Sequence, residues 1–135
     1  MDTTNLSKSS QVYDLLKKGL NASSMRSKTI SNNIANINTK GYKKYSVSFE
    51  ENLQQSIDHI SLKTTENKHI NDDSEAGEAK LEQDLSSSMR EDGNNVDIDN
   101  EMANQAANTL MYNALITQVN SKIAMQRYIV NEGRR

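Results

Sequence analysis

Few side chains in this sequence carry the atoms for catalysis. His59 and His69 stand ten residues apart in a polar stretch, a spacing that does not set both on one helix face. Carboxylates crowd residues 72–84, but no calcium-loop pattern orders them, and the run reads as a solvated acidic segment. Ser86, Ser87 and Ser88 have no base partner at a recognisable spacing. The glycines are isolated, so no phosphate-cradling loop is expected. With no cysteine, disulfides, zinc–thiolate sites and thiol catalysis are excluded. Met102, Met111 and Met125 fall at helical spacings and read as packing. The expectation is a protein that is not an enzyme, with no catalytic residue, metal, cofactor or small-molecule substrate.

A different chemistry is concentrated at residues 30–42. Asn32, Asn33, Asn36 and Asn38 interleave with Ile30, Ile34 and Ile37, and the stretch stops at Gly41-Tyr42. Asparagine is a mediocre helix former because its amide competes for backbone groups. Why a helix spends four positions on asparagine just where it ends is a question the rest of the chain has to answer.

Two helices must carry these groups. From about residue 7 to 37, Leu16, Leu20, Ser23, Ser27, Ile30, Ile34 and Ile37 alternate steps of four and three, the seam of a coiled coil. Gly19 marks either the start of the ordered helix or a close contact. Gly41 is the residue type that ends a helix. Tyr45, Val47 and Phe49 then alternate as a short extended segment. A second helix is announced by turn residues at 92–95 and by Asp97 and Asp99, both candidate N-caps. It runs to about Asn131, with a seam of Tyr112, Ile116, Val119, Ile123, Gln126 and Val130 and a second face of Ala103, Ala106, Ala107, Leu110 and Ala114. Ile98 is placed to staple against Ala103. Residues 50–95 read as an irregular polar insert, with short extended pieces at 57–70.

Hydrophobic residues make up 34% of the 135-residue chain, with one Phe and no Trp. Mean hydropathy is −0.82. Typical domains carry roughly 45–50% apolar residues with glycine counted, so a self-sufficient core would be thin. A chain that buries its apolar stripes against partner chains fits better. Absence of proline suits long helices. Net charge runs +5 over residues 1–50, −9 over 51–100 and +2 over 101–135. The basic ends are too dilute and too poor in aromatic residues for nucleic acid. The first residues show no basic segment followed by an apolar run, so a Sec signal peptide is not expected. The fold class expected is mainly α: long N- and C-terminal helices pairing as a coiled coil around a polar loop and short-β middle. Its divisions are 1–44, 45–95 and 96–135.

Residues 22–44, ASSMRSKTISNNIANINTKGYKK, resemble the N-terminal signature of flagellar axial proteins, the rod, hook and hook-associated family. The matching positions are Arg26, Ile30, Asn33, Ile34, Ala35, Asn36, Thr39, Gly41 and Tyr42. Lys40 stands where that family usually has proline. The segment from Gly93 resembles the proximal-rod branch, through Gly93, Asn94, Val96, Asp97, Glu101, Met102, Asn108 and Tyr112. KTTENKHI at 63–70 is similar to an element in the middle of that branch.

The resemblance implies a structural subunit of the bacterial flagellar rod, outside the cytoplasmic membrane. It would be exported unfolded by the flagellar type III system and assemble with copies of itself and other rod proteins near the membrane-embedded base and export gate. Its terminal helices would form the inner coiled-coil tube of a torque-transmitting shaft. The assembly interface would include Leu16, Leu20, Ile30, Asn33, Ile34, Asn36, Ile37, Gly41, Tyr42, Met102, Tyr112, Ile116, Val119, Ile123 and Val130. The asparagines at 32, 33, 36 and 38 would lie off the seam and bond neighbouring subunits or cap the helix end; the alternative is that they are ordinary solvent-facing polar residues. Phe49 and Leu53 fit a Phe-x-x-x-hydrophobic element read by the export gate, although Phe49 also suits local packing. The runner-up is a cytoplasmic helical adaptor or export chaperone. A third alternative is a metal-dependent enzyme using the acidic middle.

Overall fold

The computed structural model describes residues 3–54, 78–86 and 90–132. In chain order these form helix α1 (Thr3–Ala35), strand β1 (Tyr45–Ser48), strand β2 (Lys80–Gln83) and helix α2 (Ile98–Glu132). Residues 50–54 add a short helical turn after β1. At 1.5 Å per residue each long helix spans about 50 Å. They pack antiparallel: Ser23 meets Asn108, Ser27 meets Gln105 and Asn33 meets Glu101, so the C-terminal half of α1 lies along the N-terminal half of α2.

The end of α1 follows from its last bonds. The Asn36 N–H is shared between the carbonyls of Asn32 and Asn33 at 3.1 and 3.2 Å, and Ile37 N–H bonds Ile34 at 3.3 Å. The helix tightens into a turn there, two residues short of the expected end, and Ile37 lies beyond it. Gly41 then takes φ +72° and Gly93 takes φ +77°, the left-handed region that glycine enters without a Cβ clash. These two turns touch: Gly41 N–H donates to the Asp92 carbonyl at 2.8 Å, and a Cβ on Gly93 would stand 3.7 Å from Gly41 Cα.

Of the two candidate caps, Asp97 starts α2. Its Oδ1 accepts from Asp99 N–H at 3.0 Å and its Oδ2 from the Asn100 amide at 2.8 Å. Its carbonyl receives the first helical bond, from Glu101 N–H at 3.0 Å. The residue before the cap is therefore Val96, which is buried, whereas Ile98 is the first helical residue and is 41% exposed.

β1 and β2 pair antiparallel, with Tyr45 opposite Gln83 and Val47 opposite Leu81. β2 lies within the stretch 71–92 expected to be a solvated loop. All four of its side chains are exposed, so it carries no apolar alternation for a sequence reading to detect. Main-chain pairing and polar contacts hold it. Asp84 N–H donates to the Lys44 carbonyl at 2.9 Å, and the Asp84 carboxylate lies 3.4 Å from Lys44 Nζ. The extended pieces expected at 57–70 lie outside the described residues.

Among the described residues the buried apolar positions are Ala22, Ile30, Val47, Phe49 and Val96. Buried polar positions slightly outnumber them: Ser23, Thr29, Asn33, Asn94, Glu101 and Asn108. The seam expected for α1 faces inward, with Ile30 buried and Leu16, Leu20, Ser27 and Ile34 half-buried. The seam of α2 departs from the expected row in its first half and meets it at Val119 and Ile123. Glu101 and Asn108 are buried, Gln105, Leu115, Val119 and Ile123 are half-buried, while Tyr112, Ile116 and Val130 are exposed. The inward row opens with three polar residues, so an apolar pattern locks onto its neighbour.

Gly19 is a close-contact glycine, buried at mid-helix. A Cβ there would meet Leu115 Cδ1 at 3.4 Å, an ordinary contact distance. Gly19→Ala should therefore raise stability in urea denaturation by up to about 1 kcal/mol, the usual gain in a helix interior. A loss would mean that α1 and α2 have no room there.

Candidate assembly interface

Asn33 is fully buried and uses its whole bonding capacity. Its Nδ2 donates to the Tyr45 carbonyl at 2.8 Å and to Glu101 Oε2 at 3.0 Å. Its Oδ1 accepts from Tyr45 N–H at 3.0 Å and from the Tyr42 hydroxyl at 3.1 Å. Both main-chain groups of Tyr45 are thus paired by a helix side chain, as a neighbouring strand would pair them. Burial, and the proximity of Tyr45 and Glu101, push the Tyr42 phenol above its ordinary pKa of 10.0.

Asn94, also fully buried, does the matching work from the other side. Its Nδ2 hydrogens are shared among the carbonyls of Asn36, Ile37 and Thr39 at 3.0, 2.9 and 3.0 Å. These carbonyls lie in the turn just past α1, where those of Asn36 and Thr39 also accept the N–H groups of Thr39 and Tyr42 at 3.0 and 3.2 Å. Its Oδ1 accepts from Val96 N–H at 2.8 Å. Asn95 extends the sheet, accepting from Lys44 N–H at 2.7 Å and donating to the Asp84 carbonyl at 2.9 Å. Three amides therefore bind the exit of α1, the start of β1 and the approach to α2 into one polar joint.

Further along the helices, Ser23 and Asn108 bond reciprocally. Ser23 Oγ donates to Asn108 Oδ1 at 2.9 Å, and Asn108 Nδ2 donates to the Ser23 carbonyl at 2.9 Å. Arg26 fastens α1 to the segment after β1 through Glu50 Oε2 at 2.6 Å and the Val47 carbonyl at 3.4 Å. That hydrogen bond holds the Glu50 carboxyl below its ordinary value of 4.5. Between α1, β1 and α2 lies an open groove of about 330 Å³, with Ile30 and Val47 in its floor and Arg26, Glu101 and Met111 on its walls.

Beyond the joint the helices present large apolar side chains to solvent. Val12, Tyr13 and Leu15 are exposed on α1, and Met102, Leu110, Met125, Tyr128, Ile129 and Val130 on α2. Leu110 and Val130 are 72% and 73% exposed. Each helix spends one face on the other and leaves the rest uncovered.

The family model described as flagella basal body rod protein matches residues 16–43, the segment that holds Arg26, Asn33 and Gly41. The flagellar basal body rod protein FlgB of Bacillus subtilis (strain 168) is 31% identical over 119 residues, covering 88% of this chain and 92% of that protein. The chain belongs to the FlgB family of flagellar basal body rod proteins. FlgB of Borrelia hermsii is 35% identical over 115 residues, covering 78% of this chain and 84% of its own length. FlgB of Proteus mirabilis (strain HI4320) is 28% identical over 141 residues, covering 95% and 99%. The chain is thus a structural subunit of the flagellar basal-body rod.

Against that family background, the asparagines divide. Asn32 and Asn38 are exposed. Asn36 is half-buried, its amide donating to the Asn32 carbonyl at 2.8 Å. Asn33 is buried, and its four bonds within the single chain are to Tyr42, Tyr45 and Glu101. Gly41 is exposed and Tyr42 half-buried. Phe49 is 5% exposed, and half-buried Leu53 bonds back to its carbonyl at 2.9 Å. His59, His69, Ser87 and Ser88 lie outside the described residues, while Ser86 is exposed. Among the described residues no cluster of three or more metal-ligating side chains occurs, and no described helix is long and apolar enough to cross a membrane. The residues that sequence reasoning missed are Asn94 and Asn95. The turn signal at 92–95 was visible, but not that its amides reach back over fifty residues.

Two measurements test the joint. Asn33→Leu strands Tyr45, Tyr42 and Glu101, and should cost at least about 3 kcal/mol in denaturant titration, whereas Asn36→Leu should cost under about 1. A small loss for Asn33→Leu would show that Tyr45 is paired otherwise. The Arg26–Glu50 bridge has a definite pH sign. Its contribution, at most about 1 kcal/mol because Glu50 is half-exposed, is present above the unfolded carboxyl value of 4.5 and is lost as pH falls through the lower folded value. Arg26→Gln should flatten the stability–pH curve in that acid window and nowhere else.

Proposed function

We propose that this rod subunit assembles through the uncovered apolar faces of α1 and α2, packing them against copies of itself and homologous rod proteins. The observation that carries the reading is the run of exposed side chains toward the C-terminus of α2: Met125, Tyr128, Ile129 and Val130. An apolar surface of this extent on a monomer marks an interaction site. Met102, Tyr112, Ile116 and Val130 belong to that outward surface. Leu16, Leu20, Ile34, Ile37, Val119 and Ile123 are half-buried in the single chain and lose their remaining exposure on assembly.

In this reading the polar joint sets the register of the helix pair before neighbours arrive, and the assembled helices transmit torque along the shaft. The chain is exported by the flagellar type III system, and the burial of Phe49 fits recognition before folding, since the Phe49–Leu53 element is covered in the folded subunit. Its place in the rod is next to the membrane-embedded base.

A strain lacking this chain should yield no complete hook–basal bodies by electron microscopy. Leu110→Asp and Val130→Asp, which alter exposed positions, should fold and be exported yet fail to restore them. Full rods from both variants would sink the interface reading.

A further inference from the structure

We propose that the groove between α1, β1 and α2 receives a lysine or arginine side chain from a second copy of this chain, with the Glu101 carboxylate as its anchor. This deepens the rod reading and rests on it. Glu101 is only 5% exposed, yet one oxygen alone is engaged, Oε2 with Asn33 Nδ2 at 3.0 Å. Oε1 is neither bonded nor fully enclosed among the described residues, and the residue lines the groove. A carboxylate so far withdrawn from water needs further donors. Arg26 shares the groove, but its guanidinium is committed to Glu50 and the Val47 carbonyl. A basic side chain answers both halves of the site: its apolar stem lies along Ile30, Val47 and Met111 while its head reaches Glu101. The volume of about 330 Å³ accommodates such a side chain.

The distribution of charge indicates where that side chain comes from. Around the joint, residues 40–54, 78–86 and 90–101 carry ten acidic and five basic residues. At the far end of the helix pair, residues 10–20 and 115–131 carry Lys17, Lys18, Lys122 and Arg127 against the single acid Asp14. Helix rise separates Lys17 from Asn33 by about 24 Å and Arg127 from Glu101 by about 39 Å. The subunit therefore has an acidic end that contains the groove and a basic end well away from it. Two copies are complementary head to tail, and a contact of that kind joins unlike surfaces, so it can repeat without closing.

The test uses the purified full-length chain and sedimentation equilibrium. Glu101→Gln keeps an acceptor for Asn33 but removes the charge, and should weaken self-association by about thirtyfold or more. Asn104→Arg, at the exposed rim, supplies the cation from within the chain and should do the same without touching the Asn33 bond. The natural chain has no cysteine, so Asn104→Cys chains mixed with Asn21→Cys, Ser121→Cys or Gln126→Cys chains, which keep the nearby cations, should cross-link with a bismaleimide. Unchanged association in either charge variant overturns the proposal. So does a wild-type chain that stays monomeric, or cross-linking of Asn104→Cys in basal bodies to a different rod protein alone. Rods that form in a strain lacking this chain would overturn the rod reading instead, whatever the groove binds.

Discussion

The amide of Asn33 bonds four groups from two distant parts of the chain, and the arrangement of everything else depends on it. Tyr42 and Tyr45 lie just after α1, and Glu101 lies in the first turn of α2. Sliding one helix past the other by one turn, about 5.4 Å, would part Asn33 from Glu101 and leave both buried groups without that bond. Apolar side chains would tolerate such a slip far better, because the hydrophobic effect has no direction. The helix pair is therefore held in one register chiefly by directional bonds. Asn94 and the Ser23–Asn108 pair reinforce the same alignment.

A core with this much polarity is stable only when its groups are satisfied. Most are, but the price is a small apolar core that contributes little surplus. That fits a subunit whose remaining stabilisation comes from neighbours. Exposed apolar side chains such as Leu110 and Val130 would be a liability on a permanent monomer. In the assembly proposed above they would be the surface that neighbouring subunits cover.

The helices, their pairing and the Gly41 stop were all legible in the sequence, because periodicity and glycine chemistry are local signals. The α1 seam through Leu16, Leu20 and Ile30 could be read for the same reason. The first half of the α2 seam was not legible, since Glu101, Gln105 and Asn108 interrupt the apolar pattern where the helices meet, while Val119 and Ile123 face inward as expected. β2 was not legible, because its side chains are all exposed and main-chain pairing leaves no trace in residue type. Asn33 was visible as an amide near the helix end, but its bonds to Tyr42, Tyr45 and Glu101 could not be read from spacing.

That difference marks the boundary between the two kinds of information. Residue order by itself determined two long helices, a glycine-terminated turn, an acidic middle, no cysteine chemistry and membership of the flagellar axial proteins. These follow from spacing, composition and short motifs, each of which acts over a few turns of chain. Only the tertiary structure decided which amide meets which carbonyl, which of two acids caps α2, and which apolar residues stay uncovered. Hydrogen bonds are satisfied by groups close in space, and Asn94 meets Ile37 across 57 residues. No local pattern encodes that distance.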